Sequence, residues 1–563
     1  MLFLGASAAG QSTTNPIIQS QARFQPVLAR QGMVVSAEAL ATQVGVEILR
    51  KGGNAVDAAV AVGFALAVTH PRAGNIGGGG FMMIHLRDED RQVAIDYREM
   101  APAAAERDMY LDENENVDQG KVRFSRAAAG VPGTVAGLLH ALERYGTMKR
   151  RQVLAPAIKL ARSGFKVSRD LSRSLGRARH VIEHGTARGV FYDRDDNPIK
   201  TGTLLKQPAL ARTLGRISKL GADGFYRGET AVQLALDMQQ GEGLITQQDL
   251  GNYKVVERDP IVGSFRDHRV VSMPPPSSGG IHLVQMLNII EGDDLAELGA
   301  GSAAVSHLLT EAMRRAYADR SVHLGDPDFT QVPMRRLTSK DYGKALRKTI
   351  GERATPSDKI NPGEQIEAAA PGNTTHFSII DADGNAVANT YTLNFSYGSG
   401  IYVPSLGFFL NNEMDDFVAK PGEPNGYGLI GDEANSVQPG KRPLSSMTPT
   451  LVLNRDGLPV LVTGSPGGSF IITTVLQVLL NVLEHGMNLA EAVSAPRIHH
   501  QWKPDMLFHE RGVSPDTLKL LEGRGHTLRE RRVWGFAGSA GYDGEWFYGF
   551  ADSRRGGALA EGY

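Results

Sequence analysis

Apolar residues along this chain switch between a helical and a strand-like period, so the fold class is legible early. From Ser36 to Arg50, Leu40, Val44 and Ile48 recur one helical turn apart. Ser36 stands where a cap belongs and Gly52-Gly53 close the run, which predicts a helix. Asn54 to Thr69 is almost uniformly apolar, and a helix without a polar face has to lie inside. Its apolar run, Ala55 to Val68, contains Asp57 and falls short of the ~20 residues that span a bilayer. Phe81 to Leu86 and Val93 to Met100 read as strands, and residues 131–250 alternate helical patterns with polar turns. Gly263 to Ser272 reads as a strand, Pro274-Pro275-Pro276 as a stiff turn, and Ile281 to Ile290 and Phe470 to Leu483 as helices.

Two stretches break this rhythm. Residues 351–373 lack apolar periodicity and are rich in Pro, Gly, Ala and charge; a structureless run of that length is a linker or a functional segment. It ends at Thr374-Thr375. Behind that pair, Asp381-Ala382-Asp383-Gly384 is a hairpin signal. A two-residue Asp383-Gly384 loop sets Thr375 opposite Thr392. A three-residue loop, with Gly384 left-handed, sets Thr374 opposite Thr392 and turns Asn394 to the same face. On the hairpin alone, an ordinary Thr-rich sheet is the favoured reading, since β-branched residues suit strands.

Composition narrows the function class. The chain has 563 residues, a length that fits three or four domains or one large α/β unit. With 60 basic and 61 acidic residues the net charge is -1, which favours neither nucleic acid nor an anionic membrane as partner. Lys149-Arg150-Arg151 reads as a solvated face. There is no cysteine, so thiol catalysis, thiolate metal sites and disulfides are excluded. At the N-terminus an apolar run meets Ala6-Ser7-Ala8, as at the end of a secretory signal. No Lys or Arg precedes Arg23, so residues 1–28 read as a clipped signal or a plain tail.

Several motifs carry candidate chemistry. Gly74 to Gly80 precedes a strand and lacks the spacing of a phosphate loop, so tight backbone packing is the better reading. His180-Val181-Ile182-Glu183-His184 matches a zinc-peptidase pattern, but Arg173, Arg177 and Arg179 disfavour a dication there, and no metal is expected. Arg98 ends a strand, a usual place for a substrate-facing side chain. Glu413 and Asp416 could receive an ammonium group, and Ser445-Ser446 offer adjacent hydroxyls. Gly467 and Gly468 stand just before an apolar helix, where exposed N–H groups can hold an oxyanion. Thr463-Gly464-Ser465-Pro466-Gly467 is not the G-x-S-x-G of an α/β-hydrolase elbow.

Nearly the whole chain, from Gln31-Gly32-Met33-Val34 to Glu561-Gly562-Tyr563, resembles the γ-glutamyltransferases (glutathione hydrolases) of the N-terminal-nucleophile superfamily. Thr374-Thr375-His376, Thr390 to Asn394, Pro443 to Met447 and Gly464 to Gly468 carry the resemblance most specifically. It implies an αββα sandwich. It implies self-cleavage at Asn373-Thr374 into a large subunit, 29–373 with linker 351–373, and a small catalytic one, 374–563. Thr374 would be the nucleophile and its new α-amine the proton acceptor. Thr392 would hold the Thr374 hydroxyl, and Gly467 and Gly468 would form the oxyanion hole. Arg98, Ser445 and Ser446 would bind the donor's α-carboxylate. Asn394, Glu413 and Asp416 would bind its α-amine, and Tyr427 would be a lid closing onto Asn394. The implied partners are glutathione or other γ-glutamyl donors, with water, an amino acid or a peptide as acceptor. No cofactor is implied, and the location would be periplasmic or secreted. Two positions depart from the bacterial pattern: Asn373 where Gln is frequent, and Glu413 in place of Gln. The rival readings are a glutaryl or cephalosporin acylase of the same fold, and a non-catalytic, uncleaved binding protein. Asn373-Thr374-Thr375 is also a glycosylation sequon, discounted because cleavage would fall inside it.

Overall fold

The computed structural model describes residues 24–360 and 374–563. Two antiparallel seven-stranded sheets lie between layers of helices, the αββα arrangement the resemblance implies. Across the first sheet the strands run Leu559–Gly562, Met33–Ser36, Thr374–Ile380, Ala386–Thr392, Gly79–Leu86, Arg91–Tyr97 and Val256–Arg258. The side-chain period of two sorts these strands. Val34, Met82, Ile84, Phe377, Ile379 and Val387 point to one helical layer, where the helix Ala55–Thr69 is buried on every side. Met33, Val35, Phe81, Met83 and Ala388 point the other way, toward Val271, Leu451, Val462 and Ala540 of the second sheet. Strands from both sides of position 374 interleave in each sheet.

The helices Gly279–Ile290, Ala303–His323 and Phe470–Leu483 form the outer layer over the second sheet. The first of them has twelve buried residues, so the helix read from residues 281–290 lies wholly inside.

Local details differ from the sequence reading in three places. The first helix is Ala39–Arg50, and Glu38 caps it by accepting from Ala41 N; Ser36 is the last residue of a strand. Residues 263–272 are two strands, Ile261–Phe265 and His268–Ser272, because Arg266 adopts φ 51° and folds the run into a hairpin. The upstream end of the 351–373 segment is docked. Ser357 N donates to Asp505 Oδ2 at 2.8 Å, and the Trp502 indole donates to the carbonyls of Ser357 and Ile360. Asn373 and Ala6-Ser7-Ala8 lie outside the described residues.

Candidate active site

The hairpin has the three-residue loop. Asp381 N donates to Asn385 O at 3.0 Å, Gly384 N donates to Asp381 O at 3.1 Å, and Gly384 has φ 83°. Asp381 fixes this geometry: one oxygen accepts from the N–H groups of Asp383 and Asn385, the other from Ala55 N of the buried helix. Pairing along the hairpin therefore sets Thr374 opposite Thr392. Thr375 pairs with Tyr391, and its hydroxyl has no hydrogen-bond partner among the described residues. Of the two adjacent threonines, Thr374 is the one turned to the space between the sheets, beside the network in which the His376 ring bonds Thr390 Oγ1 and Ser378 Oγ. Burial holds the pKa of His376 down at about 3, so the ring is neutral.

Register carries the site across four strands. Thr374 pairs with Thr392, Thr392 with Gly79, and Gly80 with Tyr97, so Arg98 comes level with Gly79 one step beyond its strand. The glycines let this row close up. A Cβ on Gly78 would stand 2.0 Å from the Thr392 carbonyl oxygen, and one on Gly79 would stand 2.5 Å from the Tyr97 carbonyl and 2.7 Å from Glu99 Oε2. Residues 74–80 thus serve packing, as read from the sequence.

A small cavity sits at the end of this row. Thr374, Thr392, Arg98, Asn394, Glu413, Asp416, Tyr427, Ser445, Ser446 and Gly468 all line it. These residues come from positions more than 300 apart in sequence, and the fold brings them to one place. Gly467 stands one residue behind the lining, with φ 138°.

The charges are concentrated. Arg98 is fully buried; its Nη1 bonds Glu413 Oε1, its Nη2 bonds Asp416 Oδ2 at 2.5 Å, and its Nε bonds Pro443 O at 3.1 Å. Burial works against its charge, but Glu413, Asp416 and Glu99 outweigh that and raise its pKa. The guanidinium expected to take a carboxylate and the carboxylates expected to take an amine are thus in direct contact. A zwitterion with an α-ammonium and an α-carboxylate matches both halves of this contact. Ser445 is held by backbone pairing to the Pro276–Ser278 turn, Ser445 N donating to Pro276 O and Ser278 N to Ser445 O, each at 2.8 Å.

Opposite Thr374, Gly467 and Gly468 precede the helix Phe470–Leu483, upstream of its hydrogen-bonded ladder. Gly468 has φ 58°, and a Cβ there would meet Tyr427 Cδ1 at 2.6 Å. The loop bearing Tyr427 is tied at several points. The Tyr427 hydroxyl reaches Asn394, with its backbone O at 2.9 Å and its Oδ1 closer still. Gly426 N donates to Asp415 Oδ2 at 3.0 Å, and Gln501 Nε2 donates to Gly428 O at 2.9 Å. Asn394 itself adopts φ 73°, its N donating to Thr392 Oγ1 at 2.8 Å and its Nδ2 to Asn412 O.

Sequence reading missed Arg320, Glu99, Asp415 and Gln501. Arg320, from the helix Ala303–His323, lines the cavity; its Nε bonds Ser278 Oγ at 3.1 Å and its Nη2 approaches Ser446 Oγ at 3.4 Å. No local pattern distinguishes it from other helical arginines. Glu99 could have been flagged by adjacency to Arg98. The His180–His184 motif is used structurally: His180 Nε2 donates to Ser396 O at 2.9 Å.

The gamma-glutamyltranspeptidase family model matches residues 41–562. The "Glutathione hydrolase proenzyme" of Escherichia coli (strain K12) is 53% identical over 545 residues, covering 96% of this chain and 93% of that protein. The crystal structure of Helicobacter pylori gamma-glutamyltranspeptidase is similar at 46% identity and TM-score 0.58, covering 60% of this chain and 96% of that one. The cephalosporin acylase of Bacillus halodurans shares the fold, with TM-score 0.83 and 24% identity over 100% of this chain and 99% of that one.

Proposed function

The chain belongs to the gamma-glutamyltranspeptidase family, and from that premise we propose that Thr374 is the nucleophile with which it transfers γ-glutamyl groups. The enzyme is a γ-glutamyltransferase and glutathione hydrolase. The observation that carries the residue assignment is the cavity where Thr374, paired with Thr392, meets a buried cation and two buried carboxyls.

The precursor cleaves itself between Asn373 and Thr374, giving a heterodimer of large and small subunits and freeing the Thr374 α-amine. The donor's α-carboxylate pairs with Arg98 and the hydroxyls of Ser445 and Ser446; its α-ammonium pairs with Asn394, Glu413 and Asp416. Two opposite charges bound at fixed points orient the head, which leaves the γ-carbonyl at Thr374. The Thr374 hydroxyl, losing its proton to the α-amine, attacks that carbonyl, and the N–H groups of Gly467 and Gly468 hold the oxyanion. The leaving amine takes the proton, and water or an amino acid or peptide then receives the γ-glutamyl group. Thr392, which accepts from Asn394 N, fixes the nucleophile's neighbourhood and assists cleavage.

A glutaryl donor has no ammonium, and would leave Glu413 and Asp416 without the partner the site is built for. Rates on a γ-glutamyl and a glutaryl anilide test this: a ratio favouring the γ-glutamyl compound at least ~100-fold is expected, and equal rates would overturn the assignment. Two bands on a denaturing gel, the smaller beginning at Thr374, would dispose of an uncleaved binding protein. Among the described residues no helix is long and apolar enough to cross a membrane, and the location we propose is periplasmic or secreted.

A further inference from the structure

Three carboxyl groups crowd the Arg98 guanidinium. Glu413 and Asp416 accept hydrogen bonds from it, and Glu99 Oε2 lies 3.5 Å from its Nη1. The Arg98, Glu99 and Glu413 side chains are at most 2% exposed and that of Asp416 is 10% exposed. Fully ionised, the three carboxylates face two guanidiniums, Arg98 and Arg320, and one negative charge would stay uncompensated away from water, which is costly. Arg320, bonded to the hydroxyls of Ser278 and Ser446, lends its charge chiefly to Asp416.

Glu99 is the anomaly. Both of its oxygens, and Oε2 of Glu413, are buried without a hydrogen-bond donor among the described residues. An ionised carboxylate only accepts and needs donors, whereas two facing carboxyls satisfy each other with one proton. The Glu413 carboxyl stands within hydrogen-bonding reach of Glu99. Glu99 also occupies the space that Gly79 leaves open between Thr392 and Arg98.

We propose that Glu99 and Glu413 share one proton before the donor binds, and that the donor's ammonium displaces this proton to solvent as it docks. Glu99 is then a positioning residue: it sets the charge that Glu413 presents to the ammonium. The proton leaves a carboxyl oxygen for bulk water, and an ammonium–carboxylate pair replaces it. Other titratable groups around the pair are engaged. Tyr253 OH donates to Arg98 O, the Tyr427 hydroxyl is bonded to Asn394, Asp415 is paired with Arg123 at 2.9 Å, and Asp96 with Arg258 at 2.8 Å. In support, burial lifts Glu99 to about 7 and pushes Glu413 well above the carboxylate range.

The inference rests on the donor-head site proposed above. Its test is the inhibition constant Ki of L-glutamate, which carries the same zwitterionic head, measured against a γ-glutamyl anilide from pH 5.5 to 7.5. The measurement uses the mature enzyme and its Glu413→Gln variant. The Thr374 α-amine titrates in both proteins, so the ratio of wild-type to variant Ki isolates the shared proton. With a midpoint of about 7, that ratio rises about 25-fold from pH 7.5 to 5.5. A flat ratio would overturn the proposal. Glu99→Gln should shift the wild-type step by at least about one pH unit, since it removes the other half of the pair; an unmoved step would overturn it too. If neither variant matures, calorimetry of L-glutamate binding to the wild type in two buffers counts the protons directly. Release of about 0.75 proton at pH 6.5, as a midpoint of about 7 requires, supports the proposal and zero overturns it. No competition by L-glutamate at any pH would instead sink the donor-head reading, and this inference with it.

Discussion

Replacing Arg98 by lysine keeps the positive charge and removes the fork, so it separates charge from geometry. The guanidinium makes three contacts at once: Nε to Pro443 O, Nη1 to Glu413 and Nη2 to Asp416. A lysine ammonium sits one bond short of the two Nη positions and has no donor at the Nε position. It satisfies one carboxylate well and leaves the other underbonded in a site closed to water. On the proposed donor-head assignment, the guanidinium's contact with the α-carboxylate is reduced to that of a point charge. Losing one charge-assisted hydrogen bond costs about 1.5–3 kcal/mol. At about 1.4 kcal/mol per tenfold, kcat/KM for a γ-glutamyl anilide should fall about 10- to 150-fold. Most of that loss should appear in KM, because the α-carboxylate is held in the ground state as well as the transition state. The assay is initial-rate anilide hydrolysis by protein first shown on a gel to be fully matured, with thermal unfolding as a control on folding. A KM within threefold of wild type would refute the assignment of Arg98 to the donor head.

Other expectations follow from the same geometry. Thr374→Ala should remain a single chain without activity, and a cleaved Thr374→Ala protein would remove the basis for the nucleophile; Thr392→Ala should mature more slowly on a gel time course. Gly468→Ala adds a Cβ 2.6 Å from the Tyr427 ring at a left-handed φ. A strain of ~1 kcal/mol and the loss of a hydrogen bond worth ~1 kcal/mol predict kcat/KM about 30-fold lower, and an unchanged value would sink the lid contact. Asp415 is lifted to about 6 by burial, against the opposing pull of Arg123. A carboxyl whose folded pKa is raised contributes stability below its unfolded pKa near 3.8 and loses it as pH rises toward 6. The stability of Asp415→Asn relative to wild type should therefore improve from pH 4 to 7, by up to about 3 kcal/mol in paired denaturant titrations. A constant difference would mean that Asp415 is not a raised acid.

The motifs were legible in sequence because each depends on a local rule. A Gly-bearing turn between β-branched runs gives a hairpin, and glycines before an apolar run give N–H groups at a helix start. Such rules drew attention to Thr374, Thr392, Gly468 and the Ser445-Ser446 pair, and the family resemblance supplied the roles expected of them. They left open which of two hairpin loops forms. Asp381 closes that choice by bonding both its own turn and the N-terminus of the helix Ala55–Thr69, more than 300 residues earlier. The rules also misplaced the cap at Ser36 and joined the Ile261–Ser272 hairpin into one strand, because Arg266 carries no turn signature.

What the chain's own pattern determined is the mix of helices and strands and the hairpin behind Thr374-Thr375, set by periodicity and short-range backbone geometry; the partner of Thr374 waited for the contacts of Asp381. What only the tertiary structure decided is the charge state of the site. Arg98, Glu99 and Glu413 become one electrostatic unit because Gly79 leaves a gap and a turn 314 residues beyond Glu99 fills the other side. Coulomb coupling depends on distance and on the exclusion of water. Neither quantity is written in the order of the residues.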